Sequence, residues 1–94
     1  MLPDEPFRAH EAKRRIRAIL VSGFVNYDIP HFRQEATKDN IDMMDVTNVL
    51  RGGVVEEAEM ERGEWRYRVR TQKFCVVVQF EAEDEILLVT TWRW

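Results

Sequence analysis

The sequence predicts an α+β fold in which helices pack on one face of a twisted four-stranded antiparallel sheet. In the first half of the chain, apolar residues recur near the 3.6-residue period of a helix. The second half contains runs that alternate or are almost wholly apolar, as strands do. Because the chain has only 94 residues, we expect a single domain, residues 1–94, with one core.

Three helices are expected in the first half of the chain. In the first, charged residues separate Ala12, Ile16 and Ile19, which share one face. The third begins after Asp42, which can cap it, and ends near Gly52. The helices are predicted at residues 7–22, 31–38 and 43–51, with a little-structured N-terminal segment at residues 1–6 and an extended connector at residues 24–30.

Beyond Gly53 the pattern predicts four antiparallel strands. The second strand alternates, so that Tyr67 and Val69 face one side and arginines face the other. The third is nearly all apolar, which is typical of a central strand covered on both faces. A turn containing Gly63 joins the first two strands. The strands are predicted at residues 54–60, 65–71, 74–80 and 86–94.

Composition indicates a cytoplasmic protein without membrane association. The single cysteine, Cys75, cannot close an intramolecular disulfide, and its apolar strand predicts an inert buried thiol. No apolar run approaches the roughly 20 residues of a membrane span, and no signal-peptide pattern is present. The net charge of −3 argues against a surface that binds nucleic acid throughout, but the acid is concentrated in residues 39–64, which hold two basic and eight acidic residues.

The strongest candidate for a binding feature is a row of three arginines in the second strand. Arg66, Arg68 and Arg70 share one face at a spacing of about 6.5–7 Å, so they repel each other. Such a row requires either an anionic ligand, such as a nucleic-acid backbone, or acidic partners on the neighbouring strand. The preceding segment supplies those acids, which either neutralise the row or hold it in place for a ligand: Glu56, Glu57, Glu59 and Glu61.

Two further features could contribute to a site. Arg93 flanked by Trp92 and Trp94 could combine a phosphate contact with base-stacking platforms; the interpretation we favour packs both tryptophans in the core or rim and leaves Arg93 solvated. His31 is a candidate proton carrier, since histidine titrates near neutrality, or alternatively a plain surface residue. His10 is a weaker candidate for the same role, because it lies on the charged first helix. No residues have metal-ligand spacing, so we expect no metal and no other cofactor.

Three blocks of the sequence, in order, match a family pattern. They are N-I-D-x-x-D-V-x-x-V-L-x-x-G from Asn40, G-x-W-R-Y-R-V from Gly63 and V-T-T-W-R from Val89. In these blocks the chain resembles a small bacterial family of unknown function (domain number forty-two fifty-eight), which is similar to the MqsR and RelE toxins. The resemblance covers about the last two thirds of the chain.

The resemblance implies a RelE-like fold and the activity of a messenger RNA endoribonuclease, the toxin of a type II toxin–antitoxin system held inactive by a cognate antitoxin. Such enzymes use the ribose 2′-hydroxyl as nucleophile, which requires proton transfer and positive charge at the phosphate. Arg66 and Tyr67 fall in the second block and Arg93 in the third, so the resemblance implies that Arg66 and Arg93 stabilise the phosphate. Tyr67, or His31 from outside the blocks, is the candidate for proton transfer. Arg66 and Tyr67 face opposite sides of a strand, which favours His31. Further RNA contacts are expected from Arg68, Arg70, Lys73 and Trp92.

Two other functions stay open. A non-catalytic module of the same fold could bind a protein partner through its sheet or through the acidic hairpin of residues 54–64. That would explain why an acidic segment lies beside the arginine strand. A homodimer formed through edge strands, with the end at Trp92 and Trp94 as its anchor, is the third interpretation.

Overall fold

The computed structural model describes residues 1–28 and 30–94, and this part of the chain forms three helices and six strands. The α+β prediction is confirmed, and the three helices lie where the sequence places them to within two residues. The elements are α1 (Ala9–Ser22), β1 (Phe24–Tyr27), α2 (His31–Lys38), α3 (Met43–Gly52), β2 (Val54–Val55), β3 (Glu59–Glu61), β4 (Glu64–Arg70), β5 (Phe74–Ala82) and β6 (Glu85–Arg93).

The sheet has six strands in the described residues rather than the four that the sequence predicted, and it is mixed rather than antiparallel. Its order is β1-β6-β5-β4-β2, and β3 also pairs with β4. The predicted connector supplies the extra edge strand: β1 runs parallel to β6, from the pair Phe24–Glu85 to the pair Tyr27–Leu88. Ile29, within that connector, lies outside the described residues. Because β1 and β6 are some sixty residues apart, no pattern within a short stretch of the sequence predicts their pairing.

The acidic strand predicted at residues 54–60 is divided into two short strands. β2 pairs with the end of β4 at Val69 and Arg70, and β3 pairs with its beginning. Between them, the Glu56 N–H still donates to the Arg68 carbonyl at 2.9 Å. The acidic segment therefore follows the whole length of β4 although its pairing is interrupted.

The three helices pack on one face of the sheet, called the inner face here, and no helix of residues 1–28 and 30–94 covers the opposite, outer face. Inner-face side chains from β4, β5 and β6 join the buried helix residues in one apolar cluster. Tyr67 and Phe80 are its largest sheet members, with ring centroids 5.3 Å apart. The other sheet members are Val55 of β2 and Val69, Val76, Val78, Ile86 and Leu88.

The N-terminal segment is packed against the domain, contrary to the little structure that the sequence predicted. Leu2 and Phe7 are buried, and the Phe7 ring meets Phe80 edge-on at 5.4 Å. The Glu5 carboxylate accepts hydrogen bonds from the Leu2 N–H at 2.7 Å and the Tyr67 hydroxyl at 2.9 Å. In a domain this small, even the first residues contribute to the single core.

Contacts and backbone conformations of residues close in sequence determine α3 and the turn between β3 and β4. The Asp42 carboxylate accepts from the Asp45 N–H at 2.8 Å and the Asp45 carboxylate accepts from the Asp42 N–H at 3.1 Å, which is the capping box that the sequence suggested. Arg62 and Gly63 both have positive φ, 53° and 80°, as the two central residues of a type I′ hairpin turn require. No helix in the described residues is long and apolar enough to cross a membrane.

Candidate functional site

The outer face consists of two columns of side chains separated by a buried floor. The register aligns Arg70, Cys75 and Trp92 across the sheet, and it aligns Arg68, Val77 and Thr90 one step further along. The first column is the arginine row of β4 (Arg66, Arg68 and Arg70), the floor is Cys75, Val77 and Gln79 of β5, and the second column is Thr90 and Trp92 of β6.

Each arginine of the row has a glutamate against it. These carboxylates come from the acidic segment that runs along β4, and their side chains are 40–64% exposed. Exposed ion pairs of this kind contribute only about 0.2–1 kcal/mol each, so an anionic ligand can replace the carboxylates at small cost. The nitrogen–oxygen distances are 2.9 Å for Arg66–Glu61, 3.7 Å for Arg68–Glu59 and 2.9 Å for Arg70–Glu56.

The floor beneath the arginines is closed to solvent. Cys75 is fully buried, and burial raises the pKa of its thiol to about 11, so the thiol stays protonated at neutral pH. The Arg66 Nε–H also donates to the Gln79 amide oxygen at 3.2 Å, which anchors that guanidinium to the floor. Arg66 is accordingly the most buried arginine of the row, with 19% of its side chain exposed.

A cleft of about 430 Å³ brings His31 and Arg66 together at the edge of this face. β1 ends opposite Leu88, and among the described residues no strand continues along that edge of β6; α2 packs against β6 there instead. Asp28 joins the two elements, because its N–H donates to the Leu88 carbonyl at 3.0 Å and its carbonyl accepts from the Phe32 N–H at 2.7 Å. The cleft is lined by Asp28, His31, Glu61, Arg62, Arg66, Val89 and Thr90.

Arg62 is the residue of this cleft that sequence reasoning missed. It occupies a left-handed conformation, φ 53°, where Asn, Asp or Gly is usual because a longer side chain is less favourable there. The signal was available in the sequence as an arginine at the first central position of the turn Glu61–Glu64. Together with Arg66, it gives the cleft two guanidinium groups.

The cleft continues along the arginine row towards Trp92. A second, smaller cavity of about 90 Å³ shares Glu61, Arg66 and Thr90 with the first and extends to Arg68 and Trp92. The Arg68 guanidinium carbon lies 5.6 Å from the centroid of the Trp92 ring, which is cation–π distance. From His31 onward, the two cavities thus place the ion-paired Arg66 and Arg68 and then Trp92 along the outer face.

Arg93 and Lys73 do not belong to this cleft. A one-residue bulge at Val89 shifts the alternation of β6, since Val77 pairs with Thr90 but Val78 pairs with Leu88. Beyond the bulge, Trp92 therefore faces outward and is half-buried, and Arg93 faces the helix side of the sheet but stays exposed. Trp94 is exposed, contrary to the packing that the sequence favoured. With Lys73, Arg93 lines a separate cavity of about 560 Å³ at the end of α2.

At that end of α2, Arg93 has backbone partners. Its Nε–H and Nη2–H donate to the carbonyls of Asp39 and Asn40, both at 3.1 Å, and its guanidinium carbon lies 4.7 Å from the Phe74 ring centroid. The backbone N–H of Arg93 donates to the Asp39 carboxylate at 2.8 Å. These contacts tie the end of α2 to β6, in the manner of a cation at a helix C-terminus.

Tyr67 lies on the inner face, opposite to its neighbour Arg66. It is fully buried, and its hydroxyl donates to Glu5 and accepts from the Phe7 N–H at 3.0 Å. Burial is the largest cause that raises the pKa of this hydroxyl. The hydroxyl is therefore neutral, occupied by two partners and separated from the outer cleft by the sheet.

The remaining candidates add little to the site. His10 lies exposed on α1, away from the residues that line the cleft. In residues 1–28 and 30–94, no group of three His, Cys, Asp or Glu side chains is placed to hold a metal ion. Comparison with models of known families, with curated proteins and with solved structures gave no match to this chain.

Proposed function

We propose that this protein is an endoribonuclease that cleaves RNA through the ribose 2′-hydroxyl, acting as the toxin of a type II toxin–antitoxin pair. The observation that carries the proposal is the cleft that His31, Arg62 and Arg66 line at the edge of the face that carries the arginine row. An imidazole beside two guanidinium groups supplies proton transfer and charge stabilisation, which are what phosphodiester cleavage requires. The three sequence blocks resemble a family that is similar to the MqsR and RelE toxins, and that resemblance implies the same chemistry.

In the proposed reaction, His31 accepts the proton of the 2′-hydroxyl as its oxygen attacks the adjacent phosphorus. The bond from phosphorus to the 5′-oxygen of the next nucleotide breaks, and a 2′,3′-cyclic phosphate forms. Arg66 and Arg62 stabilise the extra negative charge on the phosphate oxygens in the transition state. The departing 5′-oxygen takes a proton from water, which reaches the cleft because His31, Glu61 and Arg62 are exposed.

RNA phosphates compete with the glutamates for the arginine row. Phosphate oxygens and carboxylates make the same kind of charge-assisted hydrogen bond to a guanidinium. Each exposed pair is weak, so a polyanion that reaches several arginines can displace several carboxylates. Arg66, anchored on Gln79, holds its position during this exchange.

The test is cleavage of a labelled single-stranded RNA by the purified protein, in the presence and absence of ribosomes. We expect His31→Ala to slow cleavage about 10²- to 10⁴-fold, the usual worth of a general base, and to relieve growth arrest in a bacterial host. His10→Ala is the matched control and should cleave as the wild type does. Absence of cleavage and of toxicity in the wild type would overturn the proposal.

A second candidate function is a non-catalytic module that binds a protein partner. It is favoured by the observation that all three arginines of the row are paired with glutamates. In this case the ion-paired strands β3 and β4 would form the interface, and a cognate antitoxin is one such partner. A wild-type protein that binds its partner but leaves RNA intact in the cleavage test would favour this function.

A further inference from the structure

We propose that Trp94, supported by Trp92, forms a subsite that stacks a base of single-stranded RNA beside the arginine row. The inference rests on the proposed function and deepens it. The cleft and the arginine row contact phosphates, which carry no sequence information. A stacking subsite makes the substrate a strand whose bases are unpaired and accessible.

Trp94 is an exposed ring that is held in a fixed orientation. It is 61% exposed, although its Nε1–H donates to the Thr71 carbonyl at 2.9 Å and its backbone N–H donates to the Lys73 carbonyl at 3.0 Å. Ordering a side chain costs conformational entropy, and burial of apolar area normally offsets that cost. Here the residue stays largely exposed, and the polar N–H of its indole is already satisfied, so the exposed part of the indole is an apolar aromatic surface.

Trp92 supports this ring. The two indoles meet edge to face, with centroids 5.8 Å apart and planes at 89°. Arg68 lies over the Trp92 ring at 5.6 Å, so Trp92 is held between a guanidinium and the second indole. Of the two tryptophans, Trp94 is therefore the one that offers its surface to a ligand.

The surroundings of Trp94 favour RNA over a protein ligand. Its carbonyl partner Thr71 directly follows Arg70, and its other partner is Lys73, so the ring lies beside the cationic end of β4. Arg66 and Arg70 are about 13 Å apart along β4. A strand whose reacting phosphate lies in the cleft at Arg66 thus passes the arginine row before a base reaches the ring. Cations that alternate with an aromatic platform are the usual arrangement of single-strand binding grooves.

The test measures the affinity of a fully 2′-O-methylated RNA oligonucleotide, which binds but lacks the nucleophile. Stacking on an aromatic ring predicts that Trp94→Ala weakens binding about 5- to 100-fold, with a smaller loss for Trp94→Phe. An oligonucleotide with abasic sites should bind the wild type more weakly by a similar factor, and Trp94→Ala should then cause no further loss. Phe24→Ala is the matched control, because Phe24 is also 61% exposed but lies on the edge strand β1.

The outcomes separate this inference from the proposed function. If the wild type cleaves RNA in a His31-dependent manner and Trp94→Ala binds as the wild type does, the stacking subsite is wrong and the function stands. The subsite is equally wrong if Trp94→Ala weakens binding of the normal and abasic oligonucleotides by the same factor. A wild type that neither binds nor cleaves RNA overturns both proposals.

Discussion

The two faces of the sheet use similar residue types for different purposes. On the inner face, Tyr67 and Arg93 are bonded to backbone groups of the N-terminal segment and of α2. On the outer face, Arg66 and its two neighbours in the row have carboxylates of exposed side chains as their ionic partners. Backbone partners cannot leave without unfolding the element, whereas an exposed carboxylate can be exchanged for a ligand. The partner, more than the residue type, distinguishes a structural arginine from one available to bind.

In the comparison of the two faces, the largest difference in RNA cleavage should come from replacing one arginine on each face by alanine. We expect Arg66→Ala to slow RNA cleavage about 10²- to 10³-fold, because it removes a charged donor to the phosphate in the transition state. Arg93→Ala, on the inner face, should change the rate constant for cleavage by no more than a few-fold. Single-turnover kinetics with labelled RNA measures both.

Protein stability provides the control for this comparison. Arg93→Ala removes two hydrogen bonds to carbonyls and should lower the free energy of unfolding by about 1–2 kcal/mol, read from urea titrations. Arg66→Ala should lower it by a similar amount, about 1–2 kcal/mol, because it removes the ion pair with Glu61 and the hydrogen bond to the buried Gln79. Equal loss of cleavage in the two folded variants would contradict the division between the faces.

A smaller effect should follow from Tyr67→Phe, which removes only the buried hydroxyl. The variant leaves the Phe7 N–H and the Glu5 carboxylate without their partner and should lower the free energy of unfolding by about 2 kcal/mol at pH 7. Cleavage should be unchanged, because Tyr67 lies on the inner face. A loss of cleavage comparable to that of Arg66→Ala would contradict this prediction and indicate that Tyr67 takes part in catalysis.

The pH dependence sharpens this prediction. The pKa of Tyr67 is raised in the folded protein, so the neutral hydroxyl contributes stability that is complete below the unfolded value of about 10 and is lost as the pH rises above it. The difference in stability between the wild type and Tyr67→Phe should therefore shrink above about pH 10. Unfolding titrations at pH 7, 9 and 11 measure it, and a constant difference would contradict the assignment.

The smallest effect concerns the acidic partners of the arginine row. Glu56→Gln, Glu59→Gln and Glu61→Gln combined should tighten RNA binding about 3- to 30-fold, because three weak ion pairs no longer compete with phosphate. The matched control combines Glu57→Gln, Glu35→Gln and Asp84→Asn, which changes the net charge equally at residues outside the ion pairs found in the described residues. Equal tightening in both variants would mean that only net charge matters.

Local sequence signals predicted most of the elements. The capping residues of α3, the turn at Arg62 and Gly63 and the alternation of β4 each depend on contacts between residues close in sequence. The edge strand β1 could not be predicted, since its four residues take their hydrogen bonds from β6, far along the chain. The packed N-terminal segment was missed for the same reason, as its partners Tyr67 and Phe80 are distant in sequence.

The candidate site was predicted in part. The sequence placed the three arginines on one face and the acids within reach of them, because strand alternation and a tight hairpin determine both. It could not show which face of the sheet Trp92 and Arg93 take, because that depends on a single bulged residue, Val89. Nor could it show that Arg62 lies across the cleft from α2.

By itself, the sequence determined an α+β domain with a basic strand flanked by acid, because helical period, strand alternation and turn chemistry are local properties. Only the tertiary structure decided which of the candidate residues meet. His31 and Arg66 line one cleft because β1 ends at Tyr27, opposite Leu88, and α2 then packs beside β6. The meeting of these residues depends on the end of β1 and on the bulge at Val89 in β6. Both features are determined by pairing between segments that are distant in sequence and by packing of the shared core.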